Sequence, residues 1–422
     1  MDINIPENVS LVLERLAAAG HSAYIVGGCV RDALMGKTPH DYDITTSATP
    51  AETKAAFSDF RVIETGIKHG TVTVMSGGEP IEITTFRVDG EYLDGRHPES
   101  VSFSRNIRDD LSRRDFTING IAYNPSEGLV DLYGGCGDIS RRLIRCIGDP
   151  DVRFNEDALR ILRAMRFSSA LGFDIEEKTA AAMLRGKSLL SCVSAERIFS
   201  ELQKMLVGQS MRAVFMRFSA IAAEIIPELT LDMSLYEKNV SAAQRAAEIC
   251  GGDPALPFSM LLKDIAQPTL QAGDREACAE KSAETADEIL RRLKCSNALR
   301  TRVCGIVRYH GEPLSLSDKE IRRGLSAHGE SLFLDIVAAH ICEDSAGAEY
   351  YTQIAALAGE LVKTACLTIK DLAVSGKELQ SIVPPSPKLG EVLSQLLSEV
   401  IDGELENDKS VLLARAKQLL ER

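Results

Sequence analysis

Residues 27–47 read GGCVRDALMGKTPHDYDITTS, and this stretch decides the fold of the first third of the chain. It follows SAYIV (residues 22–26), a short apolar run of strand length, closed by Gly27 and Gly28. CVRDALM then has helical spacing and stops at Gly36. DYDITTS is rich in β-branched residues and reads as the next strand. On such a strand Asp41 and Asp43, at i and i+2, turn both carboxylates to one face. Adjacent carboxylates repel unless a cation lies between them. Oxygen-only ligation favours Mg2+, which completes its shell with water and substrate phosphates. Gly27 and Gly28 allow a phosphate close to the backbone, the helix starting near Cys29 offers free N–H groups, and Arg31 adds charge from its first turn. Taken alone, the acidic pair reads more readily as an exposed strand edge. Residues 41–52 also have calcium-loop spacing (Asp41, Asp43, Thr45, Glu52), but Thr46 stands where that loop needs glycine. No Gly-Lys-Ser/Thr follows the glycine pair, which excludes a P-loop.

Upstream, residues 6–19 have the apolar spacing of a helix (Val9, Val12, Leu13, Leu16), ended by Gly20. Downstream, TVTVMS (71–76) and IEITTFRV (81–88) read as further strands. Glu82 falls on the same side of its strand as Thr84 and Phe86, where a third carboxylate would complete a two-metal site. By itself it is an ordinary solvated strand residue. From Asp151 the texture turns helical almost without interruption, with loops by composition near residues 251–254, 310–313 and 384–387.

The 422 residues carry 48 Lys and Arg against 61 Asp and Glu, a net charge of −13. That balance excludes a protein that coats nucleic acid or anionic membrane with its whole surface, and leaves a locally basic groove open. Residues 1–150 hold 15 basic and 22 acidic side chains, 151–220 hold 11 and 8, and the remainder 22 and 31, so only the middle segment is net positive. Trp is absent and aromatics are 5%, which disfavours recognition by base stacking. Ten cysteines without a CxxC pair read as reduced thiols rather than a disulfide frame or a zinc site. The first residues lack a basic start and apolar core, and no window approaches 18 apolar residues. The expected compartment is the cytoplasm.

Three more segments carry polar patterns. RRDFTING (113–120) places Arg113, Arg114 and Asp115 near Asn119. NEDALRILRAMRF (155–167) puts Asp157 and Arg160 at i,i+3, with Arg163 and Arg166 continuing at steps of three on one helix face. A carboxylate beside a planar guanidinium presents a fixed set of acceptors and donors. Read plainly, the same pair is a helical salt bridge above an apolar stripe of Leu159, Leu162 and Phe167. SAERIFSEL (194–202) follows.

In this order, GG-x-VRD-x-L-x-G-x4-DxD, RRDFTIN, EDALRILRAMRF and SAERIFSEL resemble the class II tRNA nucleotidyltransferases, the CCA-adding enzymes. The resemblance runs from about Ser22 to Lys204 and continues weakly into DLAVSGKELQ and LGEVLSQLLSEVIDGELEND. Bacterial poly(A) polymerases share most of these motifs. The resemblance implies an α+β fold: a polymerase-beta-like nucleotidyltransferase head with a mixed sheet over residues 1–150, then an all-α neck (151–210), body (211–310) and tail (311–422). It implies template-independent addition of C, C and A to the 3′ end of tRNA from CTP and ATP, with Mg2+ on Asp41 and Asp43 and Glu82 as third ligand or base. Gly27, Gly28 and Arg31 would face the triphosphate. Arg113, Arg114, Asp115 and Asn119 would contact the sugar, a 2′-OH lying between Asp115 and a guanidinium. Asp157 and Arg160 would read the base edge, Glu156 would orient them, and Arg163 would lie near the triphosphate. Partners would be tRNA, CTP and ATP, without DNA or membrane.

Alternatives within the resemblance are an enzyme adding only A to CC ends and a polyadenylating enzyme; outside it stands an RNA- or nucleotide-binding relative without chemistry. The polar segment at 88–103 disfavours a CC-only enzyme, whose family counterpart is shortened there, and TGIKHGTVTV (65–74) looks more like the CCA-adding branch. LLKDI (261–265) and RYHGEP (308–313) fall where some relatives carry a phosphohydrolase, but neither segment holds a His-Asp pair. His310, His328 and His340 therefore read as isolated core or surface histidines.

Overall fold

All four side chains of Ala23–Val26 (β1) are buried, because the strand lies inside a seven-stranded sheet that is covered on both faces. Ala23 and Ile25 join Ile44, Val74, Ile81 and Ile83 in a cluster closed by Val9, Val12, Leu13 and Leu16 of Glu7–Ala18 (α1). Tyr24 and Val26 point to the opposite cluster, with Phe86, Leu111 and Ala122. The two-residue period thus serves two cores, which is why the run carries no polar alternation. The computed structural model describes residues 3–39, 41–90, 101–267, 275–380 and 387–420.

After β1 come Gly28–Leu34 (α2), Asp43–Thr46 (β2), Pro50–Ala56 (α3), Val62–Ile63 (β3), Thr71–Ser76 (β4) and Glu79–Thr85 (β5). Arg87–Asp89 (β6) and Val101–Phe103 (β7) form a separate ribbon. Ile107–Ser112 (α4), Ile121–Asn124 (β8) and Gly128–Asp131 (β9) follow. The sheet order is β3-β4-β5-β2-β1-β8-β9, antiparallel except for β2 against β5, which makes the expected mixed sheet.

Two strand expectations shift. β2 begins at Asp43, so Asp41 and Tyr42 precede the strand instead of lying on it. IEITTFRV is not one strand: it ends at Thr85, and the Phe86 N–H donates to the Thr46 carbonyl at 2.7 Å while its ring is fully buried. The chain then leaves for the β6–β7 ribbon. Most of the polar segment expected at 88–103 lies outside the described residues.

Beyond the sheet are Gly135–Ser140 (α5), the two-residue strand Leu143–Ile144 (β10), Pro150–Glu156 (α6), Leu159–Leu171 (α7), Asp174–Ile175 (β11), Glu177–Arg185 (α8) and Ala195–Leu206 (α9). Gly135 packs against the turn at Thr117–Asn119: a Cβ there would stand 2.1 Å from the Thr117 carbonyl oxygen, so only glycine allows the approach. β11 pairs in parallel with β10, a strand contact not expected after residue 150.

NEDALRILRAMRF also departs from the single helix its spacing predicts. Asp157 has φ −145° and ψ 101°, which ends α6, and its Oδ1 accepts the Leu159 N–H at 3.1 Å to start α7. Aspartate competes with helix continuation by this local bond and so favours caps over helix interiors.

The chain forms two compact units, Met1–Thr230 and Leu231–Arg422. Of the four segments expected from the sequence, 1–150 and 151–210 both lie in the first unit and 311–422 in the second, while 211–310 is divided between them. The second unit is helical, with Ala255–Leu262 buried along its entire length. There the histidines are not isolated. His310 lies 3.5 Å from Asp264 and 3.8 Å from Glu343, while the buried Lys263 ammonium stands 2.8 Å from Glu343 and 3.5 Å from Asp264. His328 bonds Glu312, and His340 bonds the Glu312 carbonyl, each at 2.8 Å. Residues distant in sequence meet here, which a search for a contiguous pair misses. Among the described residues no helix is long and apolar enough to cross a membrane.

Candidate active site

A cleft of about 470 Å3 in the first unit is lined by Gly27, Gly28, Arg31, Asp43, Arg113, Arg114, Asp115, Asn119, Asp157, Leu159, Arg160, Arg163, Phe167 and Arg197. Stretches far apart in sequence supply it, so α2, the start of β2, the segment after α4, α7 and α9 build the wall together.

Gly27 has φ +83°, and a Cβ on it would stand 3.2 Å from Arg114 Nη1. The turn therefore favours glycine, and a Cβ would crowd the guanidinium beside it. Arg31 is buried and engaged: Nη1 donates to Asn119 Oδ1 at 2.7 Å, and Nε to Asp32 Oδ1 at 2.9 Å. Its guanidinium, with those of Arg163 and Arg166, surrounds the Phe167 ring at 5.4, 5.4 and 3.8 Å from the centroid. Phe167 thus does more than fill an apolar stripe; it is the surface on which three cations are stacked.

Asp43 reaches the cleft wall; Asp41, Glu82 and Glu156 are not part of it. β2 and β5 set Asp43 directly beside Glu82, and both are exposed on the same side. Desolvation raises the Asp43 pKa, Arg114 pulls it down, and the charge of Asp41 raises it again. Desolvation is thus the main cause of the rise, and the Arg114 charge acts on Asp43 more strongly than that of Asp41. Among the described residues no three His, Cys, Asp or Glu side chains cluster closely enough to enclose a metal. Two open carboxylate donors suit a cation that keeps water and phosphate ligands, as Mg2+ does.

Asp115 is buried and saturated. Oδ1 accepts the Phe116 N–H at 2.8 Å and Asn119 Nδ2 at 3.2 Å, while Oδ2 faces Arg163 Nη2 at 2.6 Å. Burial pushes its pKa up, but the charge and hydrogen bond of Arg163, with the Phe116 and Asn119 donors, hold it down at about 2. A carboxyl depressed in the folded state stabilises above its unfolded pKa, near 4, and that contribution disappears as pH falls through the folded value. Asp115→Asn should therefore flatten the loss of stability between about pH 4 and 2 in acid unfolding followed by circular dichroism. An unchanged acid limb in the variant would contradict the ion pair.

Asp110, which the motif reading did not single out, is completely buried beneath the two arginines that it did. Its Oδ1 accepts Arg113 Nη2 at 2.6 Å and its Oδ2 accepts Arg114 Nη2 at 3.1 Å. The signal was present in DDLSRR, where Asp110 precedes Arg113 and Arg114 by three and four positions. Arg114 Nε is buried with no hydrogen-bond partner among the described residues.

Arg160 is 7% exposed and held from three sides. Nη1 donates to Glu156 Oε2 at 2.7 Å and to the Arg153 carbonyl at 3.2 Å; Nη2 donates to the Arg113 carbonyl at 2.9 Å. Glu156 also receives Arg153 Nη1 at 2.7 Å, so it orients Arg160 without touching the cleft. Asp157 Oδ2 accepts Arg197 Nη2 at 2.8 Å, across forty residues of sequence. Arg197, Phe167 and Leu159 are cleft residues to which the sequence reading gave no binding role.

Comparison with known proteins places this geometry. The Poly A polymerase head domain matches residues 23–145, and the tRNA nucleotidyltransferase domain 2 matches residues 277–416. A CCA-adding enzyme of Lactobacillus delbrueckii subsp. bulgaricus is 36% identical over 413 residues, 95% of each chain. One from Limosilactobacillus fermentum is 36% identical over 416 residues, 97% of this chain and 96% of that one. The crystal structure of the Bacillus stearothermophilus CCA-adding enzyme in complex with CTP superposes with a TM-score of 0.72 at 28% identity, covering 98% of this chain and 97% of that one. The Thermotoga maritima CCA-adding enzyme complexed with tRNA shares the fold, with a TM-score of 0.62 at 20% identity over 98% and 96% of the two chains.

Proposed function

The chain belongs to the CCA-adding enzymes, a family of tRNA nucleotidyltransferases, and from that premise we propose that the cleft completes tRNA 3′ ends by reading CTP and ATP with protein side chains in place of a template. The enzyme adds C, C and A without a nucleic-acid template. The tRNA 3′-oxygen bonds to the α-phosphorus of the nucleotide, the bond from that phosphorus to the bridging oxygen breaks, and pyrophosphate leaves.

One observation carries the reading: Asp43, the two arginines of RRD, and the Asp157 and Arg160 pair all face one cleft. Asp157 has only acceptor lone pairs to offer and Arg160 only donors. Cytosine and adenine each present an amino group beside an unprotonated ring nitrogen, which matches that pair. Uracil and guanine present a keto oxygen beside a ring N–H, which puts acceptor against acceptor and donor against donor. The same two side chains therefore accept C and A and reject U and G. Arg114 and Arg163 line the cleft as positive charge for the triphosphate, and Asp110 keeps Arg113 and Arg114 in place.

Asp41 and Asp43 would hold Mg2+, with Glu82 beside Asp43 as a further oxygen donor. When bound, Mg2+ supplies charge neutralisation at the triphosphate and eases deprotonation of the attacking hydroxyl, in the manner of two-metal sites. Positioning by the protein does the rest. The helical region from about Met211 onward would hold the tRNA by shape and phosphate contacts.

The test supplies purified protein with tRNA ending at the discriminator base, at C or at CC, with labelled CTP and ATP. Stepwise completion to CCA on all three ends is expected. Failure to incorporate CTP on the first end overturns the proposal, and A alone on CC ends would identify the A-adding alternative. Long A tails on unrelated RNA would identify a polyadenylating enzyme.

A further inference from the structure

Asp157 does not sit on a helix face. It occupies the junction between α6 and α7, so helical geometry does not aim its carboxylate. Two bonds do: the Leu159 N–H to Oδ1 at 3.1 Å, and Arg197 Nη2 to Oδ2 at 2.8 Å. The first is local and ties Asp157 to the start of α7. The second comes from α9 and, among the described residues, ties the carboxylate to an element outside the junction. Arg197 itself lines the cleft, and its Nη1 is buried without a hydrogen-bond partner among the described residues. A guanidinium placed merely to tie α9 to the α6–α7 junction would satisfy its donors in the protein; this one leaves a donor beside the acceptor that meets the base.

We propose that Arg197 is a positioning residue for nucleotide choice: it holds the Asp157 carboxylate turned into the cleft and so sets the preference for amino bases over keto bases. The inference rests on the reading of Asp157 as the acceptor of the base amino group. With Arg197 bonded to Oδ2, rotation of the carboxylate is restricted, and each oxygen keeps a lone pair for an incoming N–H. Without it, Asp157 keeps one local bond and can turn away, and the amino group of cytosine or adenine loses its fixed partner. A keto base then meets less repulsion. A charge-assisted hydrogen bond of this kind corresponds to roughly ten- to a hundredfold in discrimination. Arg197 touches neither the α-phosphate nor the carboxylates Asp41 and Asp43 in this account, so its removal changes selection more than turnover.

The experiment uses the full chain and tRNA ending at the discriminator base, and measures kcat/KM for CTP and UTP separately. ATP and GTP are compared in the same way on CC ends. Arg197→Met is expected to lower the CTP-to-UTP and ATP-to-GTP ratios about ten- to a hundredfold, and Arg197→Lys to recover part of the loss. The double variant with Asp157→Asn should be no less selective than Asp157→Asn alone, because both act through one carboxylate. If Arg197→Met slows all four nucleotides alike while Asp157→Asn alters the ratios, the positioning role falls and the reading of Asp157 stands. If neither variant alters the ratios, both fall. Thermal unfolding by circular dichroism accompanies each variant, and Arg197→Gln and Arg197→Lys carry the ratio test should Arg197→Met not fold.

Discussion

Asp43→Asn is expected to lower CTP incorporation by about a thousandfold or more, while the protein remains folded and its thermal midpoint stays level or rises. The two halves of this expectation have one cause. Asp43 stands at the start of β2 in the cleft wall, where desolvation of its carboxylate raises the pKa, Arg114 lowers it and Asp41 adds a smaller rise. A carboxyl whose folded pKa lies above its unfolded value destabilises the fold once pH rises past that unfolded value. Asparagine keeps the shape and removes the charge, so the fold is relieved of the cost of holding a desolvated carboxylate. A divalent cation would lose one of its two carboxylates. Function and stability pull in opposite directions at this position, as they do at many charged sites that wait for a ligand. The measurement is single-turnover incorporation in Mg2+ beside a melting curve. Retained Mg2+-dependent activity would remove Asp43 from the metal site.

Arg160→Ala carries the second large effect. kcat/KM for CTP and for ATP is expected to fall about a hundredfold, with much smaller losses for UTP and GTP, so the four rates converge. Binding of tRNA should change by no more than about twofold. Arg160 is buried and joins Glu156 and the carbonyls of Arg153 and Arg113, so truncation also leaves a partly buried carboxylate short of a partner, at a cost of roughly 2–3 kcal/mol in stability. Lysine is not expected to rescue selection, because one ammonium cannot reproduce a planar fork that bonds in several directions. Nucleotide-by-nucleotide rates on tRNA with defined ends decide the matter. An unaltered order of preference in Arg160→Ala would refute its part in reading the base.

Much of this was legible in the sequence because short-range rules govern it. The run SAYIV, the glycine pair and the β-branched stretch after Asp43 specify strand, turn and strand locally, and the sheet follows. The polar motifs stood out because charged residues at regular intervals beside buried positions are unusual, and their order carried the family resemblance. What the sequence hid was of two kinds. One was the local cap at Asp157: a spacing of three between Asp157 and Arg160 looks like a continuous helix face, whereas the Asp157 carboxylate bonds forward to Leu159 and breaks the helix. The other was long-range partnership. Asp115 reads as a free acceptor in RRDFTING, yet Arg163 from α7 occupies it. Arg197 and Asp157 meet across forty residues, and Lys263, Asp264, His310 and Glu343 meet across eighty. Periodicity does not encode such pairings, since they depend on how helices cross. Asp110 is the exception that spacing alone could have found.

In the function proposed for this cleft, one set of side chains reads both nucleotides. The direct measurement is equilibrium binding of labelled CTP to the full-length protein without RNA, with ATP as competitor. One CTP per chain is expected, with full displacement by ATP, weakened binding of both nucleotides in Asp157→Asn, and little displacement by UTP or GTP. Simultaneous binding of CTP and ATP to one chain, or a variant at Asp157 that weakens only one of the two, would contradict it.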